Sequence, residues 1–493
     1  MSQPLSRIML GLMLSFSAQG LLAADLPAPA EWMRYYEMAA EKGDTEAQMK
    51  LGWLYEKGEG VAKDLVKAMT WYGKAAEAGE PAAQYNLGLL QLNDAKTVPS
   101  GLNWLNKAAE QNLPDAQAFI AGLYQDGKHV QKDDAMAVKW LTRAAELGDA
   151  PSQNNLGLRF AEGRGVKADP AEAIKWMSMA AEAGNAAAQA NLGTLYRKGM
   201  NGVPADPAKA LAWLTKAAEQ KNVQAQSKLA WMHYKGEGTT ANLTQAAHWF
   251  KAASELGDTS AMTQLAFMLE RGEGVALAPQ TAVALYQKAA AQGNVVAANN
   301  LGAMLRDGRG MDANPADAVN WFRKAADAGD MYGQFNLAQM LEQGKGVAAN
   351  ANDAMAWYRK AADQGMAEAQ ARLGWMMARD PGKQKDSLEW LKKAAEQGVT
   401  WAQNNLGVMY ESGQGVAKDT AVAAQWYRKA ADGGDAAAQN NLGVMYRDGS
   451  GVAKDLNAAI GWFQKAATQG YTKAMINLGS VYEEAARAAR MGK

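Results

Sequence analysis

Few residues in this sequence could carry out covalent or metal chemistry. There is no cysteine, and there are three histidines, His129, His233 and His248. Without cysteine the chain has no disulfides, thiol catalysis, Cys-ligated zinc or iron–sulfur clusters. His233 and His248 are fifteen residues apart, and we expect structural or surface roles for both rather than a metal site. The sequence also lacks Ser-x-x-Lys, His-Glu-x-x-His, Walker A and Gly-x-Ser-x-Gly motifs, so it predicts no enzyme, no cofactor and no metal.

Composition indicates a folded protein without an excess of either charge. Of 493 residues, 48% are apolar and 21% are charged, with 51 Lys and Arg against 51 Asp and Glu. Affinity for nucleic acid comes largely from neutralising phosphates, so this balance predicts no nucleic-acid partner. It also predicts weak salt dependence of binding unless local charged patches dominate.

The first 24 residues have the pattern of a secretory signal peptide. Arg7 precedes an apolar run from Ile8 to Phe16, and small residues follow up to Ala24. We predict cleavage after Ala24, with Gly20 and Ala18 as alternatives; an uncleaved N-terminal anchor is the other interpretation. No later segment is apolar enough to cross a membrane. The sequence therefore predicts an exported protein, periplasmic or secreted, without an integral membrane segment after cleavage.

A unit of about 36 residues repeats about twelve times. Each unit contains a Leu-Gly dipeptide or a variant of it such as Leu-Ala. The small second residue of this dipeptide is called the landmark. Predicted landmarks are Gly52, Gly88, Gly122, Gly157, Gly193, Ala230, Ala266, Gly302, Ala338, Gly374, Gly407, Gly443 and Gly479. A tryptophan recurs in step in eleven of twelve repeats, and recurrence at one position predicts a core role. These are Trp71, Trp104, Trp140, Trp176, Trp213, Trp249, Trp321, Trp357, Trp390, Trp426 and Trp462.

Each repeat predicts two helices. In the first full repeat, residues 45–56 place apolar side chains on one helical face. A Gly-x-Gly turn at residues 58–60 follows, and the second helix starts after a capping Asp64. The second helix ends at glycine in most repeats and at Asn112 or Lys221 in two, which predicts a left-handed backbone at that position.

A helix pair of this size buries its apolar face only by stacking on its neighbours. The sequence therefore predicts an all-α fold, an α-solenoid forming a right-handed superhelix with a concave groove. We predict an N-terminal capping segment over 25–44, the solenoid over 45–480 and a C-terminal cap over 481–493. Two repeats lack the Gly-x-Gly turn, near residues 97 and 382. Either their loops are simply shorter, or the superhelix changes curvature there and divides the chain.

The repeat pattern closely resembles the Sel1-like repeat, a relative of the tetratricopeptide repeat. Residues 401–434 show it most completely: WAQNNLGVMYESGQGVAKDTAVAAQWYRKAADGG. The resemblance covers nearly the whole mature chain. It implies a scaffold for protein–protein contacts of a kind common in exported bacterial proteins. The build is also similar to that of secreted Sel1-like proteins that bind host proteins, including immunoglobulin-binding examples.

Positions that vary between repeats are candidates for recognition. On the first helix, the positions three before and one after the landmark lie away from the apolar face, and we expect them to line the concave surface. Aromatic rings facing away from a core, among polar amides, suit a protein-binding surface. The alternative is that they pack sideways between neighbouring first helices. The predicted partner-binding residues are Trp53, Tyr85, Phe119, Trp231, Phe267, Phe335, Trp375, Asn299, Asn404 and Asn440.

An asparagine also recurs two residues before the landmark. Its amide could bond the backbone of the neighbouring repeat or that of a bound peptide, and we favour the structural role. Taken together, the sequence predicts an exported scaffold that binds a protein partner, from the cell envelope or from a host, through its concave surface. The alternatives are a cell-envelope enzyme acting on peptidoglycan, or an architectural component of an envelope assembly.

Overall fold

The computed structural model describes residues 29–491, so the predicted signal peptide over 1–24 lies outside the described residues. This part of the chain contains 26 α-helices and one short 3₁₀ helix, Pro381–Lys383, and no β-strand. The helices are α1 (Pro29–Glu41), α2 (Thr45–Lys57), α3 (Leu65–Glu77), α4 (Pro81–Gln91), α5 (Val98–Glu110), α6 (Pro114–Asp126), α7 (Asp134–Glu146), α8 (Ala150–Glu162), α9 (Pro170–Glu182), α10 (Ala186–Lys198), α11 (Pro207–Glu219), α12 (Val223–Lys235), α13 (Leu243–Glu255), α14 (Thr259–Arg271), α15 (Pro279–Ala291), α16 (Val295–Asp307), α17 (Pro315–Asp327), α18 (Met331–Gln343), α19 (Ala351–Asp363), α20 (Ala367–Ala378), α21 (Gln384–Glu396), α22 (Thr400–Ser412), α23 (Thr420–Asp432), α24 (Ala436–Asp448), α25 (Leu456–Thr468) and α26 (Thr472–Met491).

Even-numbered helices are the first helices of the repeats, and odd-numbered helices are the second helices. The chain divides into two compact units between Ala253 and Ser254. Within each unit, successive helices pack against one another, which confirms the predicted all-α solenoid. At the two departures from the pattern, short connections over 92–97 and 379–383 join the paired helices. A division of the superhelix near residues 97 and 382 stays a prediction.

Local signals fix where the helices begin and end. The Asp64 side chain accepts hydrogen bonds from the backbone amides of Val66 and Lys67, both at 3.0 Å, and so satisfies two free donors of α3. Asn112 and Lys221 have φ angles of 63° and 61°. The predicted left-handed ends of the second helices are thus confirmed where glycine is missing.

The landmark residue allows the two helices of a repeat to approach closely. A Cβ atom added at Gly52 would lie 2.5 Å from the ring of Tyr72, and one at Gly443 would lie 2.6 Å from the ring of Phe463. Both rings are fully buried. Glycine is therefore required at these two landmarks, because the large ring of the second helix fills the space above each of them.

The third repeat has a different register from the predicted one. A Cβ at Gly122 would meet nothing within 4 Å, whereas Ala121 is 2% exposed. The Gln117 amide donates to the carbonyl of Ala109, as the glutamine four residues before the landmark does in other repeats. The prediction of Gly122 as the landmark is therefore wrong, and Ala121 takes that place. Phe119 then lies two residues before the landmark, not three.

Only some of the eleven recurring tryptophans are buried in the core. Three of its members are buried, namely Trp140, Trp176 and Trp390, and the other eight are half-buried. The fully buried residue is the one that follows the tryptophan, such as Tyr72, Phe322 or Phe463. In eight repeats the next turn places a lysine ammonium 3.6–4.3 Å from the indole centre. The expectation of eleven core tryptophans is thus wrong for eight, whose rings lie at the edge of the core. Seven of these eight rings lie beneath a lysine, and the exception is Trp249.

In ten of the thirteen repeats a buried glutamine joins the repeat to the one before it, and Met262, Ala298 and Met475 take this position in the other three. The Gln439 amide donates to the carbonyl of Ala431 at 3.1 Å and accepts from Gln469 at 2.9 Å. The same bond to the carbonyl eight residues earlier is made by Gln48, Gln84, Gln117, Gln153, Gln189, Gln226, Gln334, Gln370 and Gln403. This contact satisfies a carbonyl in the last turn of a second helix and so fixes the next first helix against it.

Candidate protein-binding surface

All ten predicted partner-binding residues lie on first helices, with unequal exposure. Tyr85 and Asn440 are only 4% and 5% exposed, so the expectation that they face away from the core is wrong. The other eight are half-buried. Partner binding by these residues stays a prediction, and their surroundings divide them into three groups.

The aromatic residues before the landmark pack between helices. Tyr85 and Phe119 meet edge-to-face across neighbouring first helices, with ring centres 6.1 Å apart. Phe335 lies against Tyr358 of its own repeat at 5.5 Å. For Tyr85 and Phe119, the alternative of sideways packing between neighbouring first helices matches the structure. Phe335 instead packs against the second helix of its own repeat.

The four aromatic residues after the landmark have a cation beside the ring. Lys50 lies 4.5 Å from the ring centre of Trp53, and Arg379 lies 3.9 Å from that of Trp375. The corresponding distances are 5.6 Å for Lys235 and Trp231 and 4.4 Å for Arg271 and Phe267. In all four pairs the cation comes from the same helix, one turn away. These rings remain half-exposed and combine apolar area with a positive charge.

The asparagines connect neighbouring first helices. The Asn440 side-chain oxygen accepts a hydrogen bond from Asn477 of the next first helix at 2.8 Å. Asn299 and Asn404 accept in the same way, as does Asn154. In each case the donor is the asparagine two residues before the next landmark. For these four asparagines the structure matches the structural role that we favour, although the acceptor is a side chain of the neighbouring repeat and not its backbone.

Several buried tyrosines of the second helices have a raised pKa. Burial raises the pKa of Tyr286 to about 12. Burial, and then the hydrogen bonds to Glu342 and Glu411, raise the pKa of Tyr358 and Tyr427. These phenols donate to the carboxylates at 2.6 and 2.7 Å. The pairs hold the two helices of one repeat together.

His233 and His248 have different surroundings within their repeat. Burial lowers the pKa of His233, whose Nδ1 has no hydrogen-bond partner. His248 lies edge-to-face against Trp249, with ring centres 4.9 Å apart. Among residues 29–491, no group of three His, Asp or Glu side chains is arranged to hold a metal ion. No helix in that range has the length and apolarity that a membrane crossing requires.

The repeats match the family model described as Sel1 repeat. The matched segments are 33–44, 45–80, 81–113, 114–149, 150–185, 186–222, 223–258, 259–294, 295–330, 332–366, 367–399, 402–435 and 436–471. They cover most of the chain, and the 33-residue segment 81–113 agrees with Ala121 as the next landmark. The chain belongs to the Sel1 repeat family, whose fold is a scaffold for protein–protein interaction.

Two solved structures are similar to this chain. One is c5321, described as a protective antigen present in uropathogenic Escherichia coli strains and displaying an SLR fold. It is 36% identical with a TM-score of 0.75, over 92% of this chain and 90% of that one. The other is a Sel1 repeat protein from Oxalobacter formigenes, 33% identical with a TM-score of 0.51, over 61% of this chain and 88% of that one. Comparison with curated proteins yields no match.

Proposed function

We propose that this protein is an exported scaffold that binds a protein partner through the exposed side of its first helices. The observation that carries the proposal is the contrast between fixed and variable positions on those helices. The landmark, the leucine before it and the buried glutamine recur because they pack the repeats. The position after the landmark varies, and four of its occupants are half-exposed aromatic rings.

Half-exposed rings of this kind suit the anchoring of a partner. Trp53, Trp231, Phe267 and Trp375 each keep part of a large apolar surface in contact with water. Large aromatic side chains supply much of the binding energy in protein interfaces, because covering them removes apolar area from water. In our proposal these four residues are the anchors, and Tyr85, Phe335 and the asparagines hold the surface in shape.

The signal-like N-terminus supports the export part of the proposal. We propose a periplasmic or secreted protein whose partner is an envelope protein or a host protein. The similarity to c5321, named as a protective antigen, supports exposure outside the cytoplasm. Fractionation of cells, with the mass of the mature protein in each fraction, tests this. A chain that keeps its first residues and stays in the cytoplasm would contradict export.

The binding surface is tested by affinity capture. The mature chain and the variant Trp53→Ala/Trp231→Ala/Phe267→Ala/Trp375→Ala are immobilised and exposed to envelope lysate and, separately, to host secretions. Captured proteins are identified by mass spectrometry and then purified for titration. We expect a partner that binds the wild type and loses at least about tenfold in affinity for the variant.

A matched control changes the same position in repeats without an aromatic ring. This variant carries Gln339→Ala, Val408→Ala, Val444→Ala and Ser480→Ala, and circular dichroism checks that all chains are folded. Equal loss of the partner in both variants would contradict anchoring by the aromatic rings. Absence of any partner would leave the scaffold role without support and favour an activity screen on peptidoglycan.

A further inference from the structure

Three positions of each first helix lie in one line along its surface. They are two residues before, one residue after and five residues after the landmark, so successive members are three and four residues apart. We call this set the stripe. In four repeats the middle member is one of the aromatic anchors. Their stripes are Lys50/Trp53/Lys57 on α2, Lys228/Trp231/Lys235 on α12, Gln264/Phe267/Arg271 on α14 and Arg372/Trp375/Arg379 on α20, where Arg379 is the residue directly after the helix.

Charge and aromatic character occur together in these stripes. Seven of the eight positions that flank the four rings are Lys or Arg. In the other nine repeats, one of eighteen flanking positions is basic, namely Lys198, and five are acidic. Those nine stripes are Asn86/Leu89/Asn93, Phe119/Gly122/Asp126, Asn155/Leu158/Glu162, Asn191/Thr194/Lys198, Asn300/Ala303/Asp307, Asn336/Gln339/Gln343, Asn405/Val408/Ser412, Asn441/Val444/Asp448 and Asn477/Ser480/Glu484.

The repeat fold does not require these basic flanks. In the nine repeats without an aromatic ring in the middle of the stripe, the first stripe position is asparagine in eight. Several of these asparagines bond the neighbouring first helix. Replacing that asparagine by Lys50, Lys228 or Arg372 gives up the amide contact. The four repeats with rings thus depart from the pattern in two coordinated ways, which favours a shared role in recognition.

The stripe of α12 shows the geometry in most detail. The Lys228 ammonium is half-buried and donates to the Thr194 hydroxyl at 2.7 Å, and it has no carboxylate within ion-pair distance among the described residues. Burial, and then the nearby charges of Lys198 and Arg197, lower the pKa of Lys228. Of these cations, Arg197 is already paired, with Glu237 at 2.5 Å.

A carboxylate from outside would relieve this unfavourable arrangement. It would accept a charge-assisted hydrogen bond from Lys228, and an adjacent apolar side chain would cover the exposed part of the Trp231 ring. Lys235, 5.6 Å from the centre of that ring, adds a second positive charge.

The distribution of these stripes favours a protein over a polyanion. Within residues 254–491, the stripes of α14 and α20 are separated by those of α16 and α18, which carry amides and an aspartate. Nucleic acid or an anionic membrane would be bound best by an uninterrupted basic track. Isolated stripes, each with an aromatic ring beside a cation, instead suit a protein partner whose apolar and acidic side chains occur in separate pairs.

We propose that each of the four basic–aromatic stripes binds acidic protein sequence by taking a carboxylate side chain together with a neighbouring apolar side chain. This inference rests on the proposed function and specifies the chemistry of the partner.

The test measures binding of a defined peptide to the full mature chain. The probe is a fluorescent peptide of Glu-Glu-Leu repeats, and fluorescence anisotropy gives the dissociation constant. One variant neutralises all seven flanking cations: Lys50→Asn, Lys57→Gln, Lys228→Asn, Lys235→Gln, Arg271→Gln, Arg372→Asn and Arg379→Gln. We expect the wild type to bind the peptide, with affinity falling as salt rises, and the variant to bind at least about tenfold more weakly.

The second helices provide a control with the same change in net charge. Seven lysines lie over tryptophan rings there but recur in most repeats, as expected for a role in the fold. The control variant carries Lys74→Gln, Lys107→Gln, Lys216→Gln, Lys324→Gln, Lys360→Gln, Lys429→Gln and Lys465→Gln. We expect it to bind the peptide as the wild type does. Equal weakening in both variants would overturn the proposal, because net charge alone would then explain binding.

Additional binding measurements test whether the ligand is recognised by its carboxylates. A Gln-Gln-Leu peptide should bind weakly, and the stripe created by Asn441→Lys, Val444→Trp and Asp448→Lys should increase affinity for the Glu peptide. Failure of the Glu peptide to bind, or preference for a single-stranded oligonucleotide or anionic vesicles, would overturn the proposal. If the captured partner is lost by the aromatic variant but binds the charge variant normally, the acidic chemistry is wrong and the proposed function stands.

Discussion

Helices α12 and α24 pack in the same way and present different surfaces. In both, a glutamine bonds the preceding second helix, and the leucine before the landmark is fully buried. The stripe of α12 is Lys228/Trp231/Lys235, and that of α24 is Asn441/Val444/Asp448. The comparison shows that packing and recognition depend on different positions of one helix, so either can change without the other.

The largest effect should come from the packing position. Leu229→Ala in α12 and Leu442→Ala in α24 each remove a fully buried side chain and leave a cavity, so we expect each to cost about 2–5 kcal/mol. Chemical denaturation followed by circular dichroism measures both. A large difference between the two losses would contradict equivalent packing of the two helices.

At alkaline pH, Tyr427 and its equivalent Phe463 should affect the stability of the protein differently, because only the tyrosine has a hydroxyl proton to release. Tyr427 in α23 is buried with a raised pKa, and Phe463 takes the same place in α25. Above pH ~10 the unfolded chain releases the phenol proton while the folded chain keeps it, so Tyr427 costs the wild type up to about 1.4 kcal/mol of stability per pH unit.

Tyr427→Phe tests this pH dependence. At pH 7 the variant should be less stable by about 0.5–1.5 kcal/mol, because the hydrogen bond to Glu411 is lost. The variant should become the more stable chain as pH rises above ~10, since phenylalanine has no proton to release. Denaturation midpoints at several pH values check this, and parallel curves for the two chains would show that burial does not hold the phenol protonated.

A smaller effect is expected from the contact between neighbouring first helices. Asn477→Ala leaves the buried oxygen of Asn440 without its donor, at a cost of about 1 kcal/mol. The corresponding change near α12, Thr194→Ala, removes the acceptor of Lys228, which can turn toward water, so we expect a smaller loss. Hydrogen exchange in the two helices measures both, and a greater loss for Thr194→Ala would reverse the comparison.

The smallest effect on stability should follow from exchanging stripes. Lys228→Asn, Trp231→Val and Lys235→Asp give α12 the stripe of α24, and we expect the free energy of unfolding to change by less than about 1 kcal/mol. Peptide binding at that helix should nevertheless be lost. Unfolding of the exchanged chain at markedly lower denaturant would show that the Trp231 ring, 5.2 Å from Phe250, is part of the core.

The sequence predicts the repeat fold well because its signals are local. Caps such as Asp64 and the left-handed helix ends at Asn112 and Lys221 depend on neighbouring residues only. The sequence predicts the wrong landmark in the third repeat because Ala121 and Gly122 are both small. The packing that distinguishes these two residues comes from another helix.

The surface is harder to predict because two adjacent large residues can each be the one that is buried, and the sequence pattern does not distinguish them directly. Trp462 and Phe463 both look apolar in sequence, yet Phe463 is fully buried and Trp462 is half-buried. The alanines at 459 and 466, four before and three after Phe463, could have identified the buried face. The bond between Asn440 and Asn477 joins residues 37 positions apart, so it depends on how two repeats stack.

The buried glutamines have a consequence for how such a protein changes over generations. Gln439 and its equivalents bond a carbonyl that every second helix offers at the same place, so one repeat can follow almost any other. Duplication or loss of a whole repeat that has this glutamine would leave the same bond at the new junction. It would move the binding stripes apart or together in steps of one repeat, and selection could thereby adjust their spacing to a new partner.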